Sequence, residues 1–526
     1  MMNIKTSSVS LASAESINQT TKKHLRGSTL LLVGRGIALA TNFAVQILTV
    51  RLLSKSDYGA FAYALQLASL GASISVFGLD KTITRFVPIY QEKEDYNKLF
   101  GTIFMMVGTI LSLGFFLGML VLGLREWLAQ SFISDQLAVS LLMILIFLSP
   151  MDALDSFLMG MFATFASPRS IFFRKHVLGP GLKLSVVLLL IFWSRDAYFL
   201  AWGYLMASIL GVVLYSGILI HHLRKSGLFR HLDIQRIQFP VREVFGFSIP
   251  LLTTDLVFLL RSTLVVVMLG YFHSTVDVAS FRAVLPVARL NMVVIQSFTF
   301  LFMPMAARMF AREDRKGIND LYWQSAMWIA VISFPIFVTT FSLAQPLTLL
   351  LFGTRYAQSG IIMALLSFGY YFNAALGFNA DTLRVYGKVR YIIMIDLLAV
   401  IVSLGLSLWL IPRYGALGAA IAVCGTLVAH NIFNHAGLKF VADIKLFQWR
   451  YLRVYLSIAL SALGLVFFQS MISVPIYVDF FLAALLSLLV LIINWNILNV
   501  EETFPELLRF EIVQRLLSKR KNDNTV

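Results

Sequence analysis

The sequence predicts an all-α polytopic membrane protein of about fourteen transmembrane helices, arranged as two six-helix lobes in pseudo-twofold relation plus two C-terminal helices. Three observations predict it. Of the 526 residues, 58% are apolar and only 13% are charged, with a mean hydropathy of +0.80. A soluble domain cannot bury that much apolar surface. Uncharged runs of about 20 residues recur along the whole chain, each enough to cross a hydrocarbon core of roughly 30 Å as helix. Finally, the basic residues between the runs alternate in number from one connection to the next.

Taken in order, residues 1–24 are Ser-, Thr-, Ala- and Asn-rich and lack the apolar stretch of a signal peptide, so they read as a disordered cytoplasmic tail. The expected spans are 28–50, 58–79, 99–122, 136–164, 176–193, 197–220, 243–270, 276–304, 321–342, 358–382, 391–411, 415–438, 453–472 and 477–497. The N-terminal lobe is 25–222, a basic cytoplasmic linker covers 223–242, and the C-terminal lobe is 243–440. Residues 441–500 hold two extra transmembrane helices, and 501–526 form a basic cytoplasmic tail. The fifth span and the last three are bounded only by short polar breaks, so twelve or thirteen spans also fit.

The connections test the count. With the N-terminus cytoplasmic, 32 of the 43 Lys and Arg residues fall on the cytoplasmic side and 6 on the other. A miscounted internal span would scramble that alternation, because every later connection would change sides. Both termini are therefore expected in the cytoplasm, with the chain in the plasma (inner) membrane. Three landmark pairs link the lobes at offsets of 220, 219 and 218 residues: Asp57 with Asp277, Arg169 with Lys388, and Arg195 with Arg413. They suggest parallel repeats related by an axis along the membrane normal. Similar span lengths would also produce such spacing.

Five basic residues remain inside spans: Arg35, Lys183, Arg261, Arg282 and Arg289. In the first span Arg35, Asn42, Gln46 and Thr49 fall at i, i+7, i+11 and i+14, one polar stripe on an apolar helix. Asn and Gln at such places often only bond helices together. An arginine is too costly for packing alone and marks a wet cavity. Arg282 and Arg289 share a face seven residues apart, and Arg261 sits at mid-depth. Guanidinium forks suit phosphate oxygens. The alternative is pairing with the intramembrane carboxylates Asp152, Asp155, Asp255, Asp381 and Asp396. Asp152 and Asp155, three apart after Pro150, repel one another on one helix face. That suits a proton or sodium coupling site, and equally two partners for cavity arginines; Asp255 is a third coupling candidate. His430 and His435 crowd the end of the twelfth span, where a capping or interfacial role fits.

Other classes are excluded. The net charge of +16 punctuates apolar runs and forms no basic domain, so no nucleic-acid partner is expected. A single cysteine, Cys424, leaves no disulfide or cysteine-based metal site within the chain. There is no Walker loop, HExxH or nucleophile elbow, so neither an enzyme nor a primary pump is expected, and no cofactor.

Arg51-Leu-Leu-Ser-Lys-Ser-Asp57-Tyr58-Gly59-Ala-Phe61, with Gly78-Leu79-Asp80 and Thr84-Arg85-Phe86, resembles the opening of the polysaccharide biosynthesis (Wzx-type) oligosaccharide flippases. That family belongs to the multidrug/oligosaccharidyl-lipid/polysaccharide exporter superfamily. Tyr414-Gly415-Ala416-Leu417-Gly418-Ala419-Ala420 resembles its twelfth-helix signature. The resemblance implies a V-shaped pair of bundles, a cationic cavity and export of a polyprenyl-diphosphate-linked oligosaccharide by alternating access. Arg35 is the arginine it carries over. The expected partners are that substrate, membrane lipid, a coupling ion (H+ or Na+), and glycan polymerase and export machinery, with the chain itself a monomer. A multidrug or cation antiporter of the same superfamily would instead want a carboxylate-rich cavity. A membrane glycan polymerase or ligase would want a large outer loop, and the outer connections here are short.

Overall fold

In a computed structural model the described residues are 33–165, 171–193, 195–442, 449–472 and 474–499, and they contain helices and turns but no strand. The expected tails 1–24 and 501–526 lie outside the described residues, as does the side chain of Arg261. Eleven described helices are long and apolar enough to cross a membrane, or twelve with one bent pair taken as a single span. The protein is a multi-pass helical membrane protein. The chain divides between Ala283 and Val284 into two compact units.

The first unit opens with α1 (Val33–Leu52), followed by α2 (Lys55–Val76) and α3 (Leu79–Glu92). Ser54 starts α2, its hydroxyl accepting from the Asp57 N–H at 3.0 Å. Phe77 (φ 52°) and Gly78 (φ 68°) are both left-handed and break the helix, and the Ser248 hydroxyl donates to the freed Phe77 carbonyl. The expected second span thus continues past residue 79 as α3, with Lys81 and Arg85 on a helix and not in a loop. α4 (Tyr96–Gly123) comes next. The fourth expected span is two helices, α5 (Gln136–Leu145) and α6 (Leu148–Phe165), bent by 41°. Pro150 accounts for the bend: its ring crowds the carbonyl four residues back, at Ile146, and it offers no N–H.

α7 (Gly179–Phe192) is entered through a π-helical turn, Phe173–Leu178. Pro180 removes the N–H that would bond to the His176 carbonyl, which permits the wider turn. α8 (Ala197–Lys225) and α9 (Val241–Phe272) complete the set, and α10 (Thr275–Ala288) begins against α2. A Cβ on Gly59 would lie 1.9 Å from the Thr275 carbonyl oxygen, so only glycine allows that approach.

In the second unit the chain passes through a 3-10 turn, Arg289–Met292, into α11 (Val293–Ala311), then α12 (Arg315–Phe341) and α13 (Ala344–Phe352). α14 (Ser359–Ala375) and α15 (Asn379–Val385) follow. α16 (Val389–Ala442) is a tight hairpin folded at Gly415, whose φ of 55° and ψ of −128° suit only glycine. Its arms run antiparallel, since Tyr391 donates to the Phe433 carbonyl at 2.8 Å and His430 meets Asp396 at 2.9 Å. Near the fold, a Cβ on Gly418 would stand 2.2 Å from the Leu410 carbonyl oxygen. α17 (Leu452–Met471), through buried Val454, Ile458 and Ala462, and α18 (Ile476–Ile493), through Ala483 and Val490, join the core of α12. The Ser342 hydroxyl donates to the Ala462 carbonyl at 2.8 Å.

Candidate functional site

A polar cavity of about 290 Å³ opens inside the first unit, bounded by α1, α6, the π turn with α7, and α8. Three cations, Arg174, Lys175 and Lys183, line it together with two carboxylates, Asp152 and Asp155. Asn42, Ser208 and Tyr215 supply neutral polar groups. The cavity therefore carries one formal positive charge in excess.

Arg174 is its most constrained member, only 2% exposed. One guanidinium nitrogen donates to both the carboxylate and the backbone carbonyl of Asp155. The Tyr215 hydroxyl donates to the Arg174 carbonyl at 2.8 Å and pins the π turn. The guanidinium lies over the Tyr215 ring at 4.4 Å and near Phe162 at 5.5 Å. Nε and Nη1 are buried and have no hydrogen-bond partner among the described residues. A desolvated guanidinium with unused donors is costly to keep, and its donor geometry suits a planar oxyanion. Asp155 is placed differently: its side chain is 45% exposed and borders the cavity. Asp152 lies within reach of Lys183 and the Ser208 hydroxyl, and Lys183 reaches over the Tyr204 ring at 5.7 Å.

The residues nominated from sequence fall into several places. Asn42, Asp152 and Asp155 meet in this cavity. Arg35 is exposed on α1, one residue after Gly34, which packs against Phe172 and His176, and its charge reaches His176. Gln46 turns to the helix contact, donating to the Tyr58 hydroxyl at 2.7 Å and the Arg282 carbonyl at 3.3 Å. Thr49 is buried and donates to the Val45 carbonyl at 2.7 Å. Within the stripe, Asn42 lines the cavity, while Gln46 bonds to neighbouring helices. Arg282 lies beside Tyr58. Asp255 pairs with Lys81. Arg289, in the second unit, donates from Nε to the Tyr370 hydroxyl at 3.0 Å. Arg261 lies outside the described side chains.

Arg174 and Lys183 were not nominated. Arg174 sits among charges that read as a cytoplasmic turn, and only the Pro180 that follows, able to widen the helix and draw the turn inward, hints otherwise. In the second unit the half-buried Asn373 and the buried Asn379 and Asn431 join Tyr322 in a network that the sequence does not signal.

Long apolar helices surround a charge-lined polar cavity, and this fold is shared with membrane transporters of known structure. It superposes on the lipid II flippase MurJ in an inward closed conformation with a TM-score of 0.69 and 14% identity, covering 89% of this chain and 99% of that one. A multidrug resistance MATE family transporter of the MOP superfamily, inward-facing, aligns with a TM-score of 0.59 and 14% identity over 77% of this chain and 95% of that one. The chain belongs to the polysaccharide biosynthesis protein family, whose model matches residues 48–361. A capsular polysaccharide biosynthesis protein, CapF of Staphylococcus aureus, is 25% identical over 182 residues, 35% of this chain and 46% of that one. An uncharacterized membrane protein of Methanocaldococcus jannaschii is 22% identical over 421 residues, 76% of this chain and 81% of that one.

Proposed function

We propose that this protein moves a polyprenyl-diphosphate-linked oligosaccharide from the cytoplasmic to the outer leaflet of the inner membrane, for surface polysaccharide biosynthesis. The single observation that carries the reading is Arg174, a buried guanidinium with two unused donor nitrogens at a cavity of net positive charge. A diphosphate is the lipid-borne group that such a fork fits. The family and the one relative described as a capsular polysaccharide biosynthesis protein support the glycan half of the reading. The flippase fold supports the lipid half.

In this reading the diphosphate approaches past Arg35 and competes with Asp155 for Arg174. The glycan stays in water and the polyprenyl chain in the bilayer. The expected lobes 25–222 and 243–440 are the bodies that alternate, with Arg261, Arg282 and Arg289 as further anion contacts. Asp155, released from Arg174, is free to take up a proton or sodium ion, which makes it and Asp152 the coupling candidates; Asp255 is held by Lys81. An inside-negative potential adds about 2.3 kcal/mol per outward-moving negative charge per 100 mV. Both termini remain cytoplasmic in this reading.

Purified protein in liposomes loaded with a fluorescent polyprenyl-diphosphate saccharide tests it. Wild type should expose the label to the outer medium, and Arg35→Gln with Arg174→Gln should not. Equal exposure by both would end the proposal. Efflux of an organic cation by the wild type, without lipid translocation, would instead favour an antiporter, the reading to which Asp152 and Asp155 would then point.

A further inference from the structure

The connection between α8 and α9 is built onto the bundle. Gly227 turns the chain with φ 75°, Leu228 is buried, and Phe229 and Leu232 pack on the core containing Leu99 and Val244. The His231 ring stacks on Tyr96 at 4.1 Å, and the Gln238 N–H donates to the Asn97 carbonyl at 3.3 Å. This packing fixes which side chains are left outward.

The outward set is unusual. Ile234 is 76% exposed, Phe239 57% and Val241 52%. Around them Arg224, Lys225, Arg230, Arg236 and Arg242 are all exposed. The two acids of this stretch are already engaged. Asp233 pairs with Arg236 at 3.4 Å. Glu243 accepts from the Tyr90 hydroxyl at 2.8 Å and pairs with Lys98 at 3.7 Å. The outward face is therefore strongly cationic, with three bulky apolar side chains set among the cations. It also leaves directly from α8, long and apolar enough to cross a membrane, and re-enters α9, so it lies where helices meet the bilayer boundary.

We propose that this connection is an anionic-phospholipid docking strap: Arg224, Lys225, Arg230 and Arg242 hold lipid phosphates while Ile234, Phe239 and Val241 enter the acyl boundary. Charge complementarity decides the occupant. Phosphodiester headgroups lie in a continuous sheet at this depth, and apolar side chains interspersed with cations match the layering of headgroup over acyl chain. The inference stands independently of the transported substrate. It assigns the strap a lipid-dependent grip on the feet of α4 and α9, which the Asn97 and Glu243 bonds already tie together.

The test uses the full chain with Cys424→Ala and Gln235→Cys, labelled with bimane and placed in phosphatidylcholine nanodiscs that carry a spin-labelled acyl chain, with or without phosphatidylglycerol. Quenching by the spin label should rise at least about twofold with phosphatidylglycerol, and each removed cation should weaken lipid engagement about fivefold. Arg224→Gln with Arg230→Gln and Arg242→Gln should therefore abolish the rise, and Ile234→Ser with Phe239→Ser should lower quenching even in its presence. Equal quenching with and without phosphatidylglycerol overturns the proposal. So does full access of aqueous iodide in every nanodisc, including the case where shielding arrives only with an added cytosolic fraction, which would make the face a protein-docking site.

Discussion

Arg174 and Asp155 make a pair whose two ends are unequally buried, and this asymmetry separates a structural role from a substrate-binding one. Arg174 is 2% exposed while the Asp155 side chain is 45% exposed. Removing Asp155 strands a guanidinium in a low-dielectric interior, whereas removing Arg174 leaves a carboxylate that the cavity can still hydrate. Breaking a buried pair costs about 3–5 kcal/mol when the remaining charge is uncompensated, so Asp155→Asn should cost about 3 kcal/mol. Arg174→Gln should cost about 2 kcal/mol, from the lost charge-assisted bond and the Tyr215 stacking, discounted for the exposed partner. The double variant should be less destabilised than the sum, with a coupling of about 1–3 kcal/mol, as for charges in contact. Stability is read from denaturant unfolding in detergent, and transport from the lipid-linked saccharide assay. Recovered stability with transport still absent means the guanidinium acts on substrate. Wild-type transport by the double variant would refute that reasoning, and additive destabilisation would refute the pair itself.

Three other outcomes follow from the same geometry. Gly415→Ala should destabilise by about 1–3 kcal/mol, because a φ of 55° with ψ of −128° is open to glycine alone, and Gly405→Ala, where added bulk meets open space, is the control in the same unfolding measurement. Gly59→Ala should reduce folded yield in detergent-solubilised membranes several-fold, since its Cβ would stand 1.9 Å from the Thr275 carbonyl oxygen. Lys81→Met should change stability by no more than about 1 kcal/mol, because both it and Asp255 are partly exposed, and a larger loss would mean the pair is shielded in the membrane.

The multi-pass helical character was legible because twenty-residue apolar runs have one physical use, but the described residues hold eleven such helices, or twelve with the bent pair as one, against the fourteen expected. Their interruptions were less so. The bend at Ile146 is written in Pro150, but the break at Phe77 and Gly78 depends on Ser248, 171 residues away, which accepts the duty of bonding the freed carbonyl. The family-like Asp57-Tyr58-Gly59 segment proves to be packing chemistry: Tyr58 takes the Gln46 amide and Gly59 admits α10.

The charges were misjudged in an instructive direction. Counting places every Arg between two apolar runs in a solvated connection, as Arg174 was placed, because hydropathy averages over a window and cannot see a single turn drawn inward. What draws it in is local: the donor missing at Pro180 lets residues 173–178 widen into a π turn. Widening rotates Arg174 out of the register its neighbours keep, toward Asp155 on α6. Lys175, one position on, stays at the cavity's edge. A charge in a short connection flanked by a helix-opening proline should therefore be weighed as a cavity residue before it is counted toward topology. For this chain that step moves one cation from the cytoplasmic tally and leaves the alternation intact, so the topology argument and the buried arginine are compatible.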